Sequence, residues 1–205
     1  MKHKNIQQNK GFTIIETLVA ISILVIAITG PLSIVAQSLR SSYFSRDQMT
    51  AFYLAQEAIE YIRNSRDQNA LRYPSNPDMW LNGIATTTDV VTTAQIPCIN
   101  DSNSEINKCS MVRTGSGSGY GFLQCASTGC GPLNFDTSTG LFGGSTYTGT
   151  LAPFSRTIYL NKVQRQGIET QDTEVVITVE MKWRSGGTEN VFKIRETLTN
   201  WKAEK

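Results

Sequence analysis

The chain has 205 residues, room for one ordinary domain with an attached segment or for two small ones, and enough to bury a core of moderate size. Its net charge is +2, but the excess is local: removing Lys2, Lys4 and Lys10 from 19 basic residues leaves 16 against 17 acidic ones, which excludes a strongly basic body built for nucleic acid. The single histidine, His3, lies in the same leader, so a chain that lost it would have no Ser-His-Asp, Cys-His or His-ligand metal chemistry to draw on.

From Phe12 to Ile28 the sequence is apolar apart from Thr13, Glu16, Thr17 and Ser22, and Leu32, Ile34, Val35 and Ala36 extend the run past Pro31. About 20 such residues cross a hydrocarbon core as a helix. The basic leader before the run favours a cytoplasmic N-terminus. Three readings compete. A cleaved secretory signal, with Ala36 and Ser38 as its small residues, has an apolar core of only about 7–15 residues and no place for Glu16. A plain signal anchor explains the length, yet leaves a carboxylate in the span at a cost of about 3 kcal/mol on insertion scales. The third reading gives Glu16 a task. If the leader is cut between Gly11 and Phe12, Phe12 gains a free α-amine and Glu16 lies one helical turn inside the new terminus. The carboxylate then pairs with a terminal amine, its own or that of a helix packed alongside, and a buried charge becomes an assembly device.

The stretch KGFTIIETLVAISILVIAITGP, Lys10 to Pro31, resembles the N-terminus of the type IV pilin superfamily, the type IV pilins and the type II secretion pseudopilins. The matching features are the short basic leader, Gly11 before the cut, Phe12 after it, Glu16, and a long apolar helix with Pro31 late in it. The resemblance implies a prepilin peptidase that cuts after Gly11 and methylates the amine of Phe12. It also implies a subunit held in the inner membrane, its head outside, until it enters a filament.

Beyond Pro31 a helical pattern resumes. Ala51, Leu54, Ala55, Ala58 and Ile62 form one stripe, with Gln48, Gln56, Glu60 and Arg63 on other faces. The helix is expected to reach about Arg66, with Pro74 and Pro77 blocking continuation. At Gly30 and Pro31 a bend or local melting is expected. Residues 67–152 read as a loop-rich region. Its GSGSGYG at 115–121 fails as a phosphate loop, because Tyr120 or Phe122 occupies the last glycine slot.

The four cysteines, Cys98, Cys109, Cys125 and Cys130, all lie in this region with no C-x-x-C pair, which favours disulfides over zinc in an exported head. Three pairings are open. The local one, Cys98–Cys109 with Cys125–Cys130, is expected, each bond contributing about 2–3 kcal/mol. DSNSEIN at 101–107 spaces Asp101, Asn103 and Glu105 like part of a calcium loop, but Ile106 stands where glycine is needed and Val112 where a distal Glu is needed, so no metal is expected. NFDTSTG at 134–140 reads as an ordinary turn.

The last third reads as an antiparallel sheet over 153–205. FSRTIYLNKV has strand composition. In EVVITVEMKW, Val175, Ile177, Val179, Met181 and Trp183 alternate with Val176, Thr178, Glu180 and Lys182. SGGT at 185–188 signals a hairpin, after which Phe192, Ile194 and Leu198 share a face. The expectation is therefore an α+β, pilin-like chain: leader 1–11, transmembrane and filament-core helix 12–36, amphipathic helix 37–66, cysteine-bearing loops 67–152 and sheet 153–205. The expected role is a minor structural subunit of a type IV pilus or type II secretion pseudopilus, with no catalysis and no cofactor. Its expected partners are the prepilin peptidase, the membrane and other pilin or pseudopilin subunits of a hetero-oligomeric filament. The alternatives are a signal-anchored extracellular enzyme or binding domain with an unrelated head, and a pilus-borne adhesin or DNA-uptake subunit whose Ser/Thr/Gly loops make the contacts.

Overall fold

The computed structural model describes residues 11–84, 98–100, 105–114, 119–126, 129–144, 149–163 and 173–202. Two compact units divide the chain, Met1–Ser45 and Arg46–Lys205. One helix, α1 (Ile14–Arg72), runs through the boundary. Among the described residues eight strands follow: β1 (Ile99–Asn100), β2 (Cys109–Thr114), β3 (Gly119–Gln124), β4 (Pro132–Asp136), β5 (Leu141–Gly143), β6 (Thr150–Lys162), β7 (Glu174–Ser185) and β8 (Thr188–Thr199).

The second unit is an α+β head in which the last 27 residues of α1, Arg46 to Arg72, pack on the sheet. The expected stripe is the one buried: Ala51, Leu54, Ala55, Ala58 and Ile62 share a core with Ile158 and Leu160 of β6 and Val175, Ile177, Val179 and Met181 of β7. Three alanines in that stripe let the helix backbone approach the sheet closely. Fully burying a side chain the size of Leu54 or Ile62 contributes about 1.5–3 kcal/mol.

The helix extends to Arg72, about a turn and a half beyond the expected end near Arg66, because 67–72 hold no breaker and Ala70 is buried. Pro74 then stops it. Proline has no amide to offer the carbonyl of Ala70, and the Lys202 ammonium donates to that oxygen instead. The Asn69 side chain donates to the carbonyls of Trp80 (3.1 Å) and Asn82 (2.8 Å), folding the following 3-10 turn, Pro77–Leu81, back so that Trp80 and Leu81 enter the core.

Strand β6 organises the sheet. One edge pairs antiparallel with β7 from Phe154 to Lys162. Its other edge is shared in sequence by β4 at Thr150–Ser155, by β2 at Ile158 and by β1, in parallel, at Leu160–Asn161. Strand β3 adds to β2, β5 to β4, and β8 to β7 in unbroken register from Ser185↔Thr188 to Glu174↔Thr199. Between β7 and β8, Gly186 and Gly187 both take positive φ (60° and 88°), the two-residue hairpin turn that SGGT announces. The expected three-strand meander is β6–β7–β8, and among the described residues the cysteine-bearing region also supplies the short strands β1 to β5, which the sequence reading did not name.

Both disulfides join neighbouring segments, Cys98–Cys109 and Cys125–Cys130. The first closes a loop that a pair of asparagines closes again inside it: Asn107 N donates to Asn100 Oδ1 (2.8 Å) and Asn100 Nδ2 to the Asn107 carbonyl (3.0 Å). Within NFDTSTG, Asn134–Asp136 end β4 and residues 137–140 form the turn, with the Asp136 carboxylate accepting from Ser138 N (2.8 Å), Ser138 Oγ (2.6 Å) and Thr139 Oγ1 (2.9 Å).

Candidate functional site

The first unit supplies the candidate site, the segment from Gly11 to Ser45. Every residue of it is exposed, including Phe12, Leu18, Ile23, Ile26, Leu32 and Ile34, and Ile14 is 86% exposed. A stripe would be covered by folding, but a helix apolar all round needs lipid or other helices on every side. α1 is long and apolar enough to cross a membrane.

Gly11, Phe12 and Thr13 precede the first helical residue, Ile14, so the peptide bond between Gly11 and Phe12 lies in non-helical backbone. Thr13 caps the helix. Its carbonyl accepts from the amides of Glu16 (3.1 Å) and Thr17 (3.2 Å), and its hydroxyl oxygen from the Glu16 amide (3.4 Å). Thr13-Ile14-Ile15-Glu16 is a capping-box sequence, a signal that explains where the helix starts and that the reading of Glu16 as a pairing group alone passes over. Glu16 stands in the first turn, where the helix dipole favours a negative charge. Among the described residues its carboxylate has no hydrogen bond or ion pair.

Of the bend or local melting expected at Gly30 and Pro31, melting does not occur, since the helix is unbroken through both residues. Proline withholds one amide there, but adjoining turns keep theirs, and the hydroxyls of Thr29 and Ser33 donate to the carbonyls of Ile26 (3.2 Å) and Gly30 (2.8 Å).

In the second unit the residues that fasten helix to sheet escaped the sequence reading. Arg156 of β6 is fully buried on the helix-facing side, and its Nη1 donates to the Leu54 carbonyl and to Glu57 Oε2, both at 2.8 Å. Its Nη2 reaches the Met111 carbonyl at 3.5 Å, while its Nε has no hydrogen-bond partner among the described residues. The signal was present: in FSRTIYL the period of two puts Arg156 in line with Phe154, Ile158 and Leu160, and a guanidinium on an apolar face demands a carboxylate from whatever covers it. Flanking contacts extend the attachment, with Arg63 Nε donating to Glu196 Oε1 (2.7 Å), Tyr61 Oη to the Tyr120 carbonyl (2.6 Å) and Tyr120 Oη to Glu57 Oε1 (2.9 Å).

Of the acidic segment weighed for calcium, Asp101 and Asn103 lie outside the described residues. Glu105 accepts from Tyr159 Oη (2.8 Å), and this hydrogen bond, with Lys193 nearby, holds its carboxyl below the usual carboxylate range. Lys193 also donates to Tyr159 Oη (3.1 Å) and pairs with Glu180 (2.9 Å), and these contacts raise its ammonium pKa. Glu105 is thus engaged in a polar cluster on the sheet face away from α1. Among the described residues no group of three or more His, Cys, Asp or Glu side chains is placed to hold a metal. Residues 115–118 and the leader, with Lys2, His3, Lys4 and Lys10, lie outside the described residues.

An apolar helix with no cover of its own, opened by a capped Gly-Phe junction and followed by a disulfide-bonded α+β head, defines a type IV pilin-like, membrane-anchored subunit. The family described as the prokaryotic N-terminal methylation motif matches residues 6–30, so the chain carries the prepilin-type signal of the type IV pilins and pseudopilins. No curated protein and no solved structure matches it.

Proposed function

We propose that the chain is a minor structural subunit of a type IV pilus or a type II secretion pseudopilus. The observation that carries this reading is the methylation motif at the head of a helix whose apolar surface is exposed on all sides. Chemistry is done to the chain rather than by it. A prepilin peptidase cuts between Gly11 and Phe12 and methylates the Phe12 amine, the helix waits in the inner membrane with the head outside, and assembly buries it among the helices of other pilin or pseudopilin subunits. The filament is hetero-oligomeric, and neither a cofactor nor a catalytic group enters. Glu16 is the alignment device: its carboxylate is carried into the bundle by pairing with a terminal amine there.

A bulky residue at position 11 tests this at the processing step. Gly11→Leu should stay at precursor size in the membrane and be missing from sheared filaments, because the peptidase must approach the backbone closely at that residue. Normal processing of Gly11→Leu, or its presence in filaments at the parental level, would refute the cut at Gly11.

A further inference from the structure

Between Lys10 and Arg40 the one charged side chain is Glu16, and Arg40 is followed three and four residues later by Tyr43 and Phe44. All three are exposed, Tyr43 to 55% and Phe44 to 38%, on unbroken helix inside the first unit. Spacings of three and four put them on one flank of the helix. From Phe12 to Arg40 is 28 residues, a rise of about 42 Å. A bilayer including both headgroup layers is about 40–45 Å thick. When the Phe12 amine lies in one headgroup layer, the first basic side chain of the processed chain therefore arrives in the other. Tyr43 and Phe44 start about 4.5–6 Å farther along the axis than Arg40, and the long Arg40 arm spans a similar distance, so the three polar and aromatic tips fall within one headgroup layer. A guanidinium beside two aromatic rings at that depth matches the interface, where rings sit at headgroup level and a cation pairs with phosphate.

We infer that Arg40, Tyr43 and Phe44 form an interfacial anchor that seats on the outer phospholipid headgroups and fixes the height of the helix in the bilayer before assembly, an inference that rests on the membrane-anchored reading above. The site selects the headgroup layer by its phosphate and its acyl boundary.

The test places a spin label on the full chain, whose four native cysteines are engaged in disulfides. The label goes on Ser22→Cys, about 15 Å above Phe12, or on Ser42→Cys. The protein is reconstituted at low protein-to-lipid ratio into phosphatidylcholine vesicles with a minority of phosphatidylglycerol, and accessibility to oxygen and to a water-soluble nickel chelate gives depth. The label at 22 should lie inside the hydrocarbon core, about 6 Å short of its midplane, and the label at 42 at headgroup depth. Replacing the rings, Tyr43→Ser with Phe44→Ser, should move the label at 42 outward by about one helical turn, ~5 Å, into water. If the label at 22 lies in the core while the label at 42 is already in bulk water, or if its depth is the same without the rings, the anchor is refuted and the membrane reading stands. If the label at 22 is itself in water, the membrane reading fails and the anchor falls with it.

Discussion

Glu16→Leu should accumulate in the membrane, processed and inserted, while its share in sheared filaments falls at least tenfold. Removing a carboxylate lowers the cost of the span by about 3 kcal/mol on insertion scales, so insertion should be no worse. The scissile bond lies one turn upstream, in backbone that is not helical, so cutting should survive. What is lost is the attraction that aligns an entering helix with a terminal amine, and a tenfold loss corresponds to only about 1.4 kcal/mol of that pairing. The capping geometry at Thr13 raises a competing account, in which Glu16 merely supports the first turn of α1. Glu16→Gln separates the two. Glutamine serves a capping box as glutamate does but carries no charge, so it should fail in filaments like leucine if pairing is the role. Glu16→Asp keeps the charge on a shorter arm and should show a partial defect. Quantitative immunoblots of membrane and sheared fractions decide; filament entry of Glu16→Gln at the parental level would assign Glu16 to the cap.

The second large effect is expected at the attachment of α1 to the sheet. Glu57→Ala should destabilise the head by about 3–5 kcal/mol, read as a lowered midpoint for urea unfolding of the full chain in detergent. The cause is the group left behind: Arg156 is fully buried, and Glu57, with its side chain 34% exposed, is its one carboxylate partner among the described residues. Solvent at Glu57 puts the expected value toward the lower end of that range. Arg156→Met removes the buried charge and keeps an apolar arm of similar length, so combining it with Glu57→Ala should recover most of the loss. A single Glu57→Ala variant within 1 kcal/mol of the parent would show that the ion pair does not hold the helix on the sheet.

Some of this architecture was plain in the sequence, and the reasons for the rest are physical. Strands β7 and β8 could be read because apolar residues recur at alternate positions along each and their turn is two glycines; both signals are local. The buried half of α1 could be read for the same reason, since Ala51 through Ile62 keep a helical period. Strands β1 to β5 could not. GYGFLQ and PLNFD carry no long alternation. PLNFD is a strand because β6 offers it an edge 15 to 23 residues further along the chain, and GYGFLQ because β2, itself paired with β6, precedes it. Local propensity is a weak guide where a tertiary edge does the selecting. The site divides in the same way. Gly11, Phe12 and Glu16 stand out because a glycine sits between a basic leader and a membrane-like run, and a charge interrupts that run. FSRTIYL marks Arg156 as a charge on an apolar strand face, but Glu57, 99 residues away, becomes its partner only when the fold brings the two together.

Delivery of the chain to a filament is proposed to follow processing at Gly11–Phe12, and mass spectrometry of the N-terminal peptide, from protein extracted from membranes and from sheared filaments, decides it. One mature terminus is expected in both fractions, Phe12 bearing a single methyl group on its amine. A mature chain that begins near Ser38, or one that keeps Met1 through Gly11 in both fractions, would contradict it.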